Sequence, residues 1–441
     1  MTRRLVIRAA AIPGREGLRD IVIEDGVIAE IPLTVSGGFD DEFDAGGGWV
    51  FPGFVDAHVH FNEPGREEWE GLQTGSRALA AGGGTVFVDM PLNSSPPVLD
   101  REQLDRKRAV AGHKSITDFA LWGGICPGSV ENIHEMADGG AVGFKAFLCP
   151  SGIDEFPASD PTTLRRGMEL ARQFRLPVSV HAEDPALLRP AGSDRSLRGF
   201  FHTRPKASEV SAIRLACELA GETGAKLHVV HVSCAEGLNV IHSAKKAGVD
   251  VTAETCPHYL LFDEDQAEKI GARAKCAPPL RSAADVDALW QALFSDRIDT
   301  LGSDHSPAPP TMKTGDDFFK IWGGISGCQH GLVTWLGELH HRRPDRLAFA
   351  ADRLAAEPAR RLQFGGKGRL EPGYDADLTF LEFGPPAPPQ PALYRHPIHL
   401  YEFSRPRCRV HHVLRRGEWI VRGGRPVEGC RPGRFLQPVI G

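Results

Sequence analysis

The chain has 441 residues, 41% hydrophobic and 24% charged, which is the composition of an ordinary globular protein with a large core. Its 51 basic residues against 57 acidic ones give a net charge of −6, which argues against nucleic acid or an anionic membrane as a partner. No run in the sequence approaches the ~20 apolar residues that are needed to span a bilayer.

The N-terminus and the cysteines together predict a cytoplasmic protein. The first residues look like a basic signal region, but Arg8 interrupts the apolar run that such a signal would need. The nine cysteines follow no short repeating spacing, and most lie in apolar stretches. We therefore expect free, buried thiols in a reducing compartment.

Short β-rich runs at the two ends of the chain enclose a long middle part of different character. Runs rich in β-branched residues occupy roughly residues 1–50 and return at 376–381 and 410–421. We expect residues 1–50 and 368–441 to pair into one small β-sandwich domain. The proline-rich segment 384–391 is predicted to be a surface linker.

The middle part, residues 51–367, alternates short apolar strands with longer helical stretches, which is typical of βα units and a parallel sheet. This α/β pattern predicts a (β/α)₈ TIM barrel, whose chemistry lies at the C-terminal ends of the strands. The alternative is a doubly wound open sheet, but no Gly-x-Gly-x-x-Gly follows the first strand. The predicted strands are 53–58, 85–90, 117–122, 141–147, 177–181, 226–231, 250–255 and 299–303.

Polar residues at the ends of these strands predict a metal site. His58 and His60 stand two residues apart on the first strand, so their side chains project from the same face. Imidazole is the commonest metal ligand in proteins. His181, His231 and Asp304 end the fifth, sixth and eighth strands.

Lys145 lies inside the apolar run 142–148 of the fourth strand. A buried ammonium is costly and tends to lose its proton. A neutral lysine can react with carbon dioxide to give a carbamate, whose two oxygens can bridge two metals. The alternative is a lysine that reaches the barrel mouth with only its amine in water.

The other residues also have purely structural alternatives. His181 and His231 could be hydrogen-bonded core histidines, and Asp304 could cap the turn that follows it. A single site explains all six positions together better than six unrelated coincidences do.

These motifs resemble the cyclic amidohydrolases, a family that includes dihydroorotases, hydantoinases and allantoinases. The resemblance runs through nearly the whole chain. It is carried by PGFVDAHVH at 52–60, the Lys145 strand, HAE at 181–183, HVS at 231–233, GSDH at 302–305 and EPGYDADL at 371–378.

The resemblance implies a binuclear metal centre. His58, His60 and Asp304 would hold one divalent ion, His181 and His231 the other, and N6-carboxylated Lys145, formed with carbon dioxide, would bridge them. Zinc is the first expectation for both ions, with cobalt, manganese, iron and nickel as alternatives.

Residues around this site distinguish the branches of the family. Dihydroorotases carry an arginine at the position of Asn62, a histidine at that of Ala308 and an asparagine at that of Ala277, so an anionic substrate fits poorly. Hydantoinases carry an aspartate at the position of Asn62 and a tyrosine near the bridging lysine. No tyrosine lies between Lys145 and His181.

The closest resemblance is to the allantoinase branch, which implies hydrolysis of a small neutral cyclic amide, allantoin, to allantoate. It rests on NEPGREEWEG at 62–71, DMPLNSSPP at 89–97, CPSGIDEFP at 149–157, KCAPP at 275–279 and WGGI at 322–325.

That resemblance implies attack by a metal-bridging hydroxide, with Asp304 carrying its proton to the departing ring nitrogen. Asn62, Asn93, Ser306 and backbone groups near Ala277 are the predicted substrate contacts. The alternatives are another cyclic amidohydrolase (a hydantoinase, dihydropyrimidinase or dihydroorotase) and a metal-free, dihydroorotase-like scaffold. The family also suggests a homo-oligomer, either a tetramer or a dimer.

Overall fold

Strands occupy both ends of the chain and alternate with helices in between. The computed structural model describes residues 3–439. Its strands are β1 Arg4–Ala11, β2 Leu18–Glu24, β3 Val27–Glu30, β4 Asp41–Asp44, β5 Trp49–Pro52, β6 Phe54–Val59, β7 Gly84–Asp89, β8 Asp118–Leu121, β9 Gly123–Gly124, β10 Phe144–Phe147, β11 Pro177–His181, β12 Lys226–Val229, β13 Val251–Thr255, β14 Thr300–Leu301, β15 Leu378–Phe383, β16 Cys408–Arg415, β17 Glu418–Arg422 and β18 Arg425–Pro426.

The α-helices are α1 Leu72–Ala81, α2 Arg101–Lys114, α3 Ile133–Asp138, α4 Pro161–Gln173, α5 Leu197–His202, α6 Lys206–Thr223, α7 Ala235–Lys246, α8 Pro257–Leu261, α9 Glu264–Ile270, α10 Ala283–Phe294, α11 Gly331–Arg342, α12 Leu347–Ala351 and α13 Glu357–Arg361. Short 3₁₀ helices span Val130–Asn132, Gly271–Ala274, Pro310–Lys313, Pro344–Arg346 and Leu400–Phe403, and a π-helical turn spans Asp352–Ala356.

Strands β6 to β14 form a closed parallel barrel, which confirms the predicted (β/α)₈ fold. Each barrel strand pairs in parallel with the next, and β8 and β9 are two parts of one strand position interrupted at Trp122. The ring closes where the amide N–H of His60 donates to the carbonyl of His305 over 2.7 Å. Every residue of β6 and of β7 is buried, as expected for strands that are covered on both faces.

The barrel strands are shorter than the predicted ones at two functional positions. The sixth strand ends at Val229 rather than His231, and the eighth covers only Thr300–Leu301. His231 and Asp304 have φ angles of 43° and 45°, so the backbone turns out of the strand conformation at these two residues.

Several helices begin at residues that supply a side-chain cap. The side chain of Asp160 accepts a hydrogen bond from the amide of Thr163, and Pro161 occupies the first turn of α4. Ser282 and Asp285 form a reciprocal capping box at the start of α10. Such local signals help to set where these two helices start.

The two chain ends share one sheet, which forms the predicted small β domain. Antiparallel pairing of β5 with β15 joins the N-terminal to the C-terminal strands, for example through Phe51 and Thr379. Ile7 and Ile23 from the N-terminal part share a hydrophobic core with Leu414 from the C-terminal part. The predicted boundary after residue 50 falls inside β5, and the domain limits stay a prediction.

The structure shows the state of the cysteines and the character of the helices. All nine cysteines are unpaired and eight of them are buried, as expected. Among residues 3–439, no helix is both long enough and apolar enough to cross a membrane.

A buried charge network joins the barrel to the small β domain at the end away from the strands' C-termini. The Lys367 ammonium lies 2.7 Å from an Asp118 carboxylate oxygen at the start of β8. It also lies 2.8 Å from Asp377 and 2.9 Å from Asp375, just before β15. Lys367 and Asp118 are almost fully buried, and Arg416 also pairs with Asp118. Removing Lys367 would leave the buried Asp377 carboxylate without a counter-ion, whereas Asp118 would keep Arg416.

Lys367→Met is therefore expected to lower the free energy of unfolding by about 3–5 kcal/mol, because it leaves the buried Asp377 carboxylate without a counter-ion. Urea unfolding followed by circular dichroism measures this change. Lys320→Met is the control, since Lys320 is 84% exposed and its ion pair with Asp317 contributes little. Equal unfolding curves for the two variants would contradict a structural role of the network.

Candidate functional site

The six predicted ligand side chains meet at the C-terminal end of the barrel. β6, β10 and β11 carry three of them, and the other three follow the ends of β6, β12 and β14 by one to three residues. They are His58, His60, Lys145, His181, His231 and Asp304. The structure thus brings together every residue that the sequence placed in one cluster.

The ligand atoms form two groups. The Asp304 Oδ1 atom lies 3.2 Å from His58 Nε2 and 3.5 Å from His60 Nε2. His181 Nδ1 lies 3.1 Å from His231 Nε2. Ligand atoms about 2.0–2.1 Å from one tetrahedral ion stand roughly 3.3 Å apart. Both groups therefore have the donor types and spacing that suit a divalent ion.

Lys145 lies at the base of this cluster with no hydrogen-bond partner for its amine among the described residues. Its side chain is fully buried, and burial lowers the pKa of the amine to about 7. A large fraction of Lys145 is then neutral at physiological pH, which is the form that reacts with carbon dioxide. An unpaired amine that is partly neutral at pH 7 fits the predicted carbamate.

Each ligand group is oriented by a buried carboxylate that the sequence reasoning did not assign. Glu254 in β13 accepts from His58 Nδ1 over 2.8 Å. Although burial opposes its charge, His58 and His228 lower the pKa of Glu254 to about 2. A carboxylate that accepts from the second ring nitrogen of a ligating histidine fixes its tautomer. The sequence does contain a signal for Glu254, because it is the one acidic residue in the apolar and otherwise uncharged strand Val251–Thr255.

Glu183 plays the same part for His181. Its carboxylate lies 2.7 Å from His181 Nε2, which leaves Nδ1 facing His231. Arg204 holds Glu183 through Nε at 2.9 Å and Nη2 at 2.6 Å. Glu183 belongs to the HAE motif, but Arg204 follows it by a long loop, so sequence spacing gave no reason to join them.

Two cysteines also lie beside the ligands. Cys149 is grouped with His181 and Glu183, and Cys256 with Asp304. Burial raises the pKa of Cys149 to about 12 and raises that of Cys256 well above its ordinary value. Because the thiolate is the form that binds metal, these protonated thiols are weaker candidates than the imidazoles.

The backbone is strained at the site. His231, Asp304, Asn62 and Asn93 all have φ angles between 43° and 71°, a left-handed conformation that is uncommon for residues other than glycine. Such conformations cost about 1–3 kcal/mol each and collect at functional sites. They turn the chain sharply where the strands end.

A cavity of about 380 Å³ opens above the cluster, at the small end of the range for ligand sites. Asn93, Ser306 and Ala277 line it, as the predicted substrate contacts should. Within the described structure, the side chains of Asn93 and Ser306 make no hydrogen bond and so remain available to a ligand. Residues 319–324 cover one side of the cavity.

Asn62 is the exception among the predicted substrate contacts. It is fully buried and is not among the residues that line the cavity. Its side-chain amide donates to the Pro307 carbonyl over 3.4 Å. Asn62 follows His60 by two residues, and Pro307 follows Asp304 by three. Their hydrogen bond therefore supports the site from behind, and Asn62 does not face a substrate.

Comparison with known proteins agrees with this geometry. The model of the Amidohydrolase family matches residues 49–420. An allantoinase from Rubrobacter xylanophilus is 46% identical over 98% of this chain and 97% of its own length. An allantoinase from Deinococcus radiodurans is 43% identical over 99% of each chain.

Solved structures of related enzymes share the fold. The L-hydantoinase (dihydropyrimidinase) from Arthrobacter aurescens has a TM-score of 0.94 and 29% identity, covering 99% of this chain and 100% of its own. The dihydropyrimidinase from Brevibacillus agri has a TM-score of 0.91 and 26% identity over 99% of both chains.

Proposed function

Because the chain belongs to the amidohydrolase family, we propose that it is a metal-dependent hydrolase that opens the cyclic amide of allantoin to give allantoate. One observation carries the proposal: four imidazoles, a buried lysine and an aspartate converge under a small cavity with the donor types of a binuclear site. The identity of 43–47% to allantoinases over most of the chain supports this substrate.

In this proposal the six residues would hold two ions. His58, His60 and Asp304 would hold one and His181 and His231 the other, with carboxylated Lys145 as a ligand shared by both. Zinc is the proposed metal, because imidazole and carboxylate ligands at this spacing suit it. The bound ions would supply a nucleophilic water at neutral pH and polarise the scissile carbonyl.

The protein's own residues position the substrate and move the proton. The Asp304 carboxylate is 13% exposed and lines the cavity, so it can take a proton from the attacking water and deliver it to the departing ring nitrogen. The free side chains of Asn93 and Ser306, with the backbone near Ala277, would hydrogen-bond the neutral ring.

We further propose that the protein acts in the cytoplasm as a homo-oligomer, a dimer or a tetramer. The nine unpaired cysteines fit a reducing compartment. The oligomeric state rests on the family resemblance alone.

The substrate proposal predicts that metal-loaded protein, supplied with bicarbonate, opens allantoin faster than hydantoin, dihydrouracil or dihydroorotate. Release of the ring-opened acid, measured for the four compounds in parallel, tests it. The structural likeness to hydantoinases makes hydantoin the sharpest competitor. Faster opening of hydantoin would overturn the substrate but keep the metal site. A metal-loaded protein that opens none of the four would favour the scaffold alternative.

Lys145→Ala is expected to lose tight binding of two ions, because no other side chain in the proposed ligand set would bind both of them. Metal content by mass spectrometry measures this loss. A ¹³C NMR carbamate signal from ¹³C-bicarbonate should also disappear. Lys226→Ala, at the opposite end of a barrel strand, is the control and should keep both. Full metal content and activity in Lys145→Ala would refute the bridging carbamate.

Asp304→Asn is expected to retain metal but to lose turnover by about 10²–10⁴-fold, because an amide cannot accept and return the proton. Turnover is compared after metal analysis of the same sample. Asp299→Asn, near the start of the same strand, should keep its turnover. An unchanged rate in metal-loaded Asp304→Asn would exclude Asp304 as the proton carrier.

A further inference from the structure

One wall of the cavity carries two cations on a single aromatic ring. The Lys275 ammonium lies 4.3 Å from the centre of the Phe200 ring, and the Arg204 guanidinium carbon lies 5.7 Å from the same centre. All three side chains line the cavity together with the ligand cluster. The mechanism above uses none of them to hold a substrate.

Lys275 is a buried cation without an anionic partner. It is 5% exposed, its ammonium donates to the Ile321 carbonyl, and no carboxylate among residues 3–439 lies within ion-pair distance of it. Burial lowers the pKa of Lys275 to about 8, so the side chain remains mostly charged at pH 7. An ammonium has three donors, and two of them stay free for a ligand. A buried charge without a counter-ion destabilises the protein unless a binding partner pairs with it.

Arg204 is already partly occupied. Its Nε and Nη2 atoms form the two-pronged edge that binds Glu183, and Nη2 also lies 3.6 Å from the Cys149 sulfur. Its Nη1 atom makes no hydrogen bond to any described residue. The pair of guanidinium N–H groups that could bind a substrate carboxylate through two parallel hydrogen bonds is therefore already occupied by Glu183. It can still offer single N–H groups.

We propose that Lys275, Phe200 and Arg204 form the subsite for the ureido arm of the substrate, the group that distinguishes allantoin from unsubstituted hydantoin. This inference rests on the proposed function. The carbonyl oxygen of a urea has two lone pairs, which single donors from Lys275 and Arg204 can fill. The flat urea plane can pack on the Phe200 ring. These charge-assisted bonds are stronger than neutral ones.

A purely structural role for Lys275 makes a different prediction. In that case its ammonium only fastens residues 319–324 through Ile321. Lys313 offers a matched control, because it is a partly buried lysine whose ammonium also donates only to backbone carbonyls, at 3.0 Å to Trp322, 2.5 Å to Gly324 and 3.5 Å to Ala272. Lys313 is not among the residues that line the cavity.

The test compares Lys275→Met with Lys313→Met, both metal-loaded. For Lys275→Met we expect kcat/KM for allantoin to fall about 10- to 100-fold, while hydantoin is affected less than about twofold. Hydantoin is followed by its turnover, or as a competitive inhibitor where its turnover is slow. For Lys313→Met we expect both compounds to be affected by the same factor. Lys275→Gln, whose amide can still donate to Ile321, serves if the methionine variant does not fold.

The outcomes separate the two proposals. If wild-type protein opens allantoin but Lys275→Met and Lys275→Gln change both compounds equally, the subsite is wrong and the proposed function stands. If wild-type protein opens hydantoin but not allantoin, the proposed function fails and the subsite falls with it. A selective loss for allantoin that is absent in Lys313→Met supports the subsite.

Discussion

The pairing of the first barrel strand with the eighth is the contact on which the site depends. The His60 amide donates to the His305 carbonyl, and Asp56 accepts from the Ser303 amide over 3.0 Å in the fully buried interior. These bonds hold the two ends of the barrel in register and so place His58 and His60 beside Asp304. Because parallel strands all end on one side, closing the ring also brings the remaining ligands to the same rim.

Holding so many polar groups out of water has a cost that the surrounding structure offsets. Glu254 and Glu183 each take up one imidazole nitrogen, and Arg204 neutralises Glu183. The left-handed backbone at His231 and Asp304 adds strain that only a well-packed barrel can hold. The buried Lys367 network stabilises the opposite end, away from the chemistry, where packing can be optimised without affecting the site.

The ligand cluster and the cavity wall serve different purposes. The proposed ligands would suit the hydrolysis of any cyclic amide, and the hydantoinase structures share the whole fold. Selectivity has to come from side chains on the loops, because loops vary while the barrel that positions them is retained. Arg204 connects the two levels, since it lines the cavity and also holds the carboxylate that orients His181. A substrate bound on this wall would thus contact Arg204, which is two hydrogen bonds away from the proposed metal ligand His181.

The sequence by itself determined the barrel and its ligand cluster, because strand alternation and residue position at strand ends are local patterns that parallel topology converts into proximity. It could not reveal Glu254 behind His58, the Arg204–Glu183 pair or the burial of Asn62, since each depends on a contact between distant segments. It also extended the sixth strand to His231 and the eighth to Ser303, whereas the strands end at Val229 and Leu301 and the backbone is left-handed at His231 and Asp304. Lys275 was part of the KCAPP motif but had no role assigned to it for the same reason: a lysine in a loop becomes a buried cation without a carboxylate partner only in the folded structure, where its ammonium contacts Ile321.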